Sequence, residues 1–211
     1  MFVNNLDPVA FEFLSFQIRW YSLAYIFGFL IGWFYIKNFL IKDLREKTLV
    51  DDFITYLILG VIIGGRLGYV IFYNFFYYLS HPFEIFFIWQ GGMSFHGGLL
   101  GVCLATYIFT QKYNLNFFRY TDLVSLAAPI GIFLGRVANF INSELYGRET
   151  DFIFSVNFNK VDNLFRHPSQ LYESFFEGII LFIILNLLWK KFSEIPGDVI
   201  KSPLRPNSIF L

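Results

Sequence analysis

The chain has 211 residues, of which 56% are hydrophobic and 15% charged, a balance that excludes an ordinary water-soluble domain. Its 16 basic and 16 acidic residues cancel, so no global field points to nucleic acid or to an acidic protein partner, and the charges must be read by position. A single cysteine, Cys103, excludes an intrachain disulfide framework and falls in an apolar run, where a thiol behaves as a small hydrophobe.

Residues 1–19 contain Asp7 and Glu12 and no basic start, so the full-length apolar run that follows reads as a retained span and not a cleaved leader. A crossing needs about 20 mostly apolar residues at helical rise. The first covers 20–41, with Trp20 and Tyr21 at one end and Lys42, Arg45 and Lys47 beyond the other; the second covers 53–79. The stretch 82–95 is broken by Gly91 and Gly92 and leads into Ser94 and His96, which suits a short re-entrant or interfacial segment. A third span runs over 97–109, extending to Tyr113, and a fourth over 123–141. A polar stretch, 142–168, separates it from a fifth helix over 169–189, opened by Pro168 and Ser169 with Glu173 in its first turn and closed by Lys190 and Lys191.

These elements predict an all-α, polytopic integral membrane bundle of about five transmembrane helices plus the short segment. Basic residues follow spans one, three and five, and none follows span two. Positive-inside reasoning therefore predicts an outer amino terminus, with residues 91–96 and 142–168 also outside. Glycines recur at four-residue spacing in four spans (Gly28 and Gly32; Gly60, Gly64 and Gly68; Gly97 and Gly101; Gly131 and Gly135), a pattern that lets helix backbones approach closely in lipid.

Arg66 and Arg136 lie within spans two and four, where a charge is costly unless it meets a partner or a wet cavity. For either, and more so for Arg66, an ion pair with Glu173 or Glu177 competes with a functional reading. Asn139 and Asn142 follow Arg136 at successive turns, which aligns a guanidinium fork and two amides on one face. Such a fork matches a phosphate better than lysine does. His96 stands between two glycine pairs, where an imidazole can exchange a proton while a large ligand approaches the backbone. Glu144, Arg148 and Glu149 are readable either as part of this constellation or as an ordinary solvated charge run. Together the residues describe an anion-binding, proton-handling site open to the outer leaflet, and its membrane-lipid ligand is a phospholipid. His81, His96 and His167 occur singly, so no metal is expected, and no glycine pattern follows a strand as a dinucleotide fingerprint would; no cofactor is expected.

The runs 64–69 (GGRLGY), 92–98 (GMSFHGG), 135–148 (GRVANFINSELYGR) and 166–173 (RHPSQLYE) resemble those of the bacterial prolipoprotein diacylglyceryl transferases, in order from Trp20 and Tyr21 to about Gly197. The resemblance implies transfer of the diacylglyceryl group of phosphatidylglycerol to the lipobox cysteine of a prolipoprotein signal peptide, forming a thioether and releasing glycerol phosphate, in the bacterial cytoplasmic membrane. By similarity Arg136 is the lipid-phosphate arginine, with Asn139, Glu144 and Gly147 its neighbours, His96 a candidate base and Tyr21 a further site residue; Asn142 and Arg66 join the phosphatidylglycerol-binding candidates. Residues 1–197 are expected to form the transferase domain. The family continues with two more spans, whereas 198–211 carries charges and prolines and is expected to be a non-family tail. An inactive remnant that only binds anionic lipid, and an anion-handling transporter, remain the alternatives.

Overall fold

The computed structural model describes residues 2–13 and 16–193; the expected tail, 198–211, lies outside them. The chain is mostly helical, and its described residues form two compact units, Ser22–Gly131 and 2–21 with 132–193. Among the described residues four helical stretches are long and apolar enough to cross a membrane: Trp20–Leu40, Leu44–Tyr73, Phe117–Asn142 and Ser169–Lys191. The expected third span is a helix of 19 residues, Phe95–Tyr113, outside that group of four; His96 at its start and Gln111 and Lys112 at its end dilute its apolar character.

In the unit Ser22–Gly131, helix α1 (Trp20–Tyr35) ends in a π turn, Ile36–Leu40. Helix α2 (Leu44–Tyr73) begins earlier than the apolar run, because the Asp43 side chain caps it by accepting from the Glu46 amide. Asn74 breaks it before α3 (Phe75–Ser80), and the interfacial segment is resolved as two 3₁₀ turns, Pro82–Phe86 and Ile88–Gln90. Helix α4 (Phe95–Tyr113) then returns along α2, capped by Ser94, whose hydroxyl accepts from the Gly97 amide. The glycine spacing explains this contact: a Cβ on Gly60 would stand 2.6 Å from the Gly101 carbonyl oxygen, and one on Gly68 2.7 Å from the Gly97 Cα. The two backbones touch, which no larger residue permits.

One end of this unit is apolar inside and charged outside. Val50, Phe53, Leu57, Phe109, Tyr120 and Leu123 form its core, with Phe53 edge-on to Tyr120 at 5.0 Å. Around it Lys37 pairs with Asp51 at 2.7 Å, Arg119 with Glu46 at 2.7 Å, and the Tyr113 hydroxyl donates to Asp52 at 2.6 Å. These groups belong to the end of α1, the start of α2, the end of α4 and the start of α5 (Phe117–Asn142), so the helices alternate in direction as the basic loops predict.

The other unit holds the strands that helical periodicity did not reveal. β2 (Val9–Phe13) and β3 (Phe16–Arg19) form an antiparallel hairpin, and β1 (Phe2–Val3) pairs parallel with β4 (Val156–Asn157), which pairs antiparallel with β5 (Phe165–Arg166). Buried Asn4 follows β1 and donates to the Phe140 carbonyl at 2.6 Å, which ties the strand to the end of α5. The fifth predicted span is α6 (Ser169–Glu173), a π turn (Ser174–Ile180) and α7 (Leu181–Ser193). Gly178 brings that π turn against α5: a Cβ there would lie 2.7 Å from the Cβ of Phe133.

Candidate active site

The last two turns of α5 and the loop after it supply the polar cluster. Arg136, half-buried, points its fork at α6 and the π turn: Nη1 lies 2.9 Å from Glu173 Oε2, an ion pair without hydrogen-bond alignment, and Nη2 donates to Glu177 Oε2 at 3.4 Å. The ion pair weighed chiefly for Arg66 is therefore made by Arg136. One guanidinium faces two carboxylates, so the cluster is net anionic before any ligand arrives, and each exposed pair contributes at most about 1 kcal/mol. An arginine held this loosely can exchange a carboxylate for a phosphate.

Asn139 and Asn142 reach the same acceptor. Asn139 Nδ2 donates to Glu144 Oε2 at 3.1 Å and Asn142 Nδ2 to Glu144 Oε1 at 3.5 Å, so the two amides grip both oxygens of one carboxylate. The chain can return for this because Ser143 and Leu145 adopt left-handed backbone, at φ 60° and 53°, a strained conformation for residues with a Cβ. Two further bonds hold the turn: fully buried Gln170 donates through Nε2 to the Glu144 carbonyl at 2.5 Å, and the Ser169 hydroxyl donates to the Leu145 carbonyl at 2.7 Å. Asn142 Oδ1 and Gln170 Oε1 stay buried and unpartnered, an expensive arrangement in a purely structural turn.

Gly147 sits where the loop crosses the segment just after β5, at His167. Its amide donates to the His167 carbonyl at 2.9 Å, the His167 amide donates to the Arg148 carbonyl at 2.9 Å, and a Cβ on Gly147 would stand 2.8 Å from the His167 carbonyl oxygen. The need at this position is close backbone approach. Below it Arg166 stacks over Tyr146 at 5.1 Å and donates to Asp162 at 2.7 Å, and that guanidinium holds the Asp162 carboxyl below its usual range. Arg148 and Glu149 enter this small sheet through backbone pairing, whereas Glu144 alone of the three acidic and basic loop candidates joins the polar cluster. Tyr21 lies in the first turn of α1, partly exposed.

In the unit Ser22–Gly131, His96 is exposed in the first turn of α4, edge-on to the Phe95 ring at 5.6 Å. Arg66 of α2, also in this unit, meets backbone and not a carboxylate. It is 3% exposed, and its fork donates to four backbone carbonyls: Nε to Ile85 at 2.8 Å, Nη2 to Glu84 at 2.7 Å, and Nη1 to Gly91 at 2.5 Å and Gly92 at 3.2 Å. The Tyr78 ring covers the guanidinium at 5.2 Å. Hydrogen bonds to a charged group contribute about 1.5–3 kcal/mol each, so a phosphate would have to displace four such partners.

Sequence reasoning found the Arg136, Asn139, Asn142 and Glu144 line because a helix repeats it. It did not single out Gln170 or Asn4, since an amide in an irregular stretch carries no period.

The family model described as prolipoprotein diacylglyceryl transferase matches residues 8–202. The chain is 52% identical over 188 residues to a Rickettsia canadensis protein, covering 88% of this chain and 72% of that one, and 51% identical over 187 residues to a Rickettsia typhi protein with the same coverage. A Rickettsia akari protein is 51% identical over 184 residues, covering 86% of this chain and 71% of its own length. All three carry the name phosphatidylglycerol–prolipoprotein diacylglyceryl transferase. The match takes in α1, both arginine-bearing helices and the Glu144 turn, and the chain belongs to the prolipoprotein diacylglyceryl transferase family.

Proposed function

We propose that the chain transfers the diacylglyceryl group of phosphatidylglycerol to the lipobox cysteine thiol of prolipoprotein signal peptides, the first step of lipoprotein maturation. The cysteine thiolate, the nucleophilic form of the group, attacks the glyceryl methylene carbon bonded to the phosphate oxygen. A carbon–sulfur bond forms, the carbon–oxygen bond breaks, and its electron pair leaves with the phosphate as glycerol phosphate. The leaving group gains one negative charge and the thiol loses one proton, so the reaction calls for a preplaced cation and a proton acceptor.

The observation that carries this reading is the Arg136 fork held between Glu173 and Glu177. In the proposal Arg136 takes the headgroup phosphate, and Asn139, Asn142 and Glu144 orient the glycerol and the leaving oxygen. Gly147 keeps the supporting loop against His167, just after β5, and Tyr21 positions a reacting group. His96, exposed on α4, receives the thiol proton directly or through a water. The amino terminus and the 142–168 loop are assigned to the outer face of the bacterial cytoplasmic membrane, as the basic loops indicate.

The test is a vesicle assay of the 211-residue chain in phosphatidylglycerol with a lipobox peptide, reading peptide mass and released glycerol phosphate. A diacylglyceryl mass gain that Arg136→Ala abolishes is the expected result. Binding of phosphatidylglycerol with no thioether would leave a lipid-binding protein and overturn the proposed activity.

A further inference from the structure

Arg66 has no free fork for a substrate, yet it lies 30 residues before His96 in sequence and is wired to the segment that carries it. Gly91 and Gly92 both occupy left-handed backbone, at φ 85° and 83°, and two consecutive glycines are the most freely pivoting link a chain can have. A single nitrogen, Arg66 Nη1, accepts the task of fixing that link by donating to both of their carbonyls. Its other two nitrogens hold the Glu84 and Ile85 carbonyls at the end of the preceding turn. The next residue back, Gly65, accepts the Ser94 amide at 2.9 Å, and Ser94 caps α4 through the Gly97 amide. Helix α2 therefore clamps both sides of the glycine pair and the cap of the helix on whose first turn His96 stands.

We propose that Arg66 is a positioning residue for His96: it sets the 84–94 segment against α2 and so fixes where the imidazole is presented, without touching phosphatidylglycerol. The assignment of a reaction to His96 rests on the transferase reading; the clamp itself does not. The four carbonyls surround a planar fork, a pattern that an ammonium group, with three donors at one point, cannot reproduce. Charge alone is thus not the requirement, and Arg66→Lys should fail.

The experiment uses the full chain in phosphatidylglycerol vesicles and compares wild type with Arg66→Lys. Hydrogen exchange is read by mass spectrometry over residues 84–96, and kcat and KM for phosphatidylglycerol are measured with a lipobox peptide. The expected result is faster exchange confined to 84–96, a kcat loss on the order of 10²-fold from misplacement, and a KM changed by less than about 2-fold. A raised KM at unchanged kcat would make Arg66 a substrate ligand and overturn the proposal, as would unaltered exchange over 84–96. If Arg66→Lys does not insert stably, Tyr78→Leu removes the covering ring and leaves the fork. It should loosen the same segment and lower kcat less, and unaltered exchange in that variant overturns the clamp. If the wild type makes no thioether, the transferase reading fails while the exchange measurement still decides what Arg66 does.

Discussion

Arg136 and Arg66 are chemically identical and sit at similar depth in their helices, yet their surroundings separate them. Arg136 is half-buried between two carboxylates at 2.9 and 3.4 Å, a setting from which a guanidinium can be recruited. Arg66 is sealed among carbonyls and a ring. For Arg136 the shape of the fork matters as well as its charge, because two parallel N–H donors match two phosphate oxygens and a lysine offers only a point charge. Arg136→Lys should therefore lower kcat/KM by roughly 10- to 100-fold, the loss of one charge-assisted bond, and Asn139→Ala should add little to it once the phosphate is misplaced. Steady-state kinetics on the single and double variants checks both; full turnover in Arg136→Lys would remove the bidentate contact.

At the scale of elements, α2 and α4 meet backbone to backbone at their glycines. The Gly64 position already faces Gly101, with a Cβ there standing 2.7 Å from the Gly101 Cα. Gly64→Val should force the helices apart, costing on the order of 1–3 kcal/mol for overpacking, and should lower the thermal midpoint in detergent; an unchanged midpoint would mean that the two backbones do not meet there. That helix backbones approach closely was legible from sequence, since small residues four apart announce it; that α2 and α4 are the pair was not, because the same spacing at Gly131 and Gly135 meets nothing within 4 Å. The Arg136 line was legible too, since it repeats at helical spacing. What stayed hidden depends on partners far apart in the chain. The Phe2–Val156 and Asn157–Phe165 pairings join two-residue strands too short to carry a period, and Asn4 finds Phe140 across 136 positions. The partners of Arg66 were hidden for the same reason: an intramembrane arginine signals a partner, but only the folded chain reveals that its partners are backbone carbonyls and that the two glutamates serve Arg136.

For the whole molecule, the exposed surface carries large apolar side chains, among them Phe34, Phe72, Phe76, Leu100 and Leu187, which water would not tolerate and lipid accepts. The charged groups Lys37, Asp51, Glu46, Arg119 and Asp52 gather at one end of the Ser22–Gly131 unit. If the basic end is cytoplasmic, Lys160→Cys in a Cys103→Ala background should react with an impermeant maleimide on intact bacterial spheroplasts, while Asp43→Cys should react only after the membrane is opened. The opposite pattern would invert the proposed orientation, and with it the leaflet from which phosphatidylglycerol is drawn.

The pairing of β1 with β4 also sets an order of assembly during synthesis. Phe2 and Val3 leave the ribosome early, and their partners Val156 and Asn157 follow about 150 residues later, roughly 10–30 s at ordinary elongation rates. Until then the β1 edge has no mate and Asn4 has no Phe140 carbonyl to bind. The helices of the Ser22–Gly131 unit can pack in that interval, whereas β1 and Asn4 find their partners only after Phe140, Val156 and Asn157 have been made. A defect in β1 would therefore strike late, on a chain whose α2 and α4 are already packed, and leave the end of α5 without its tie.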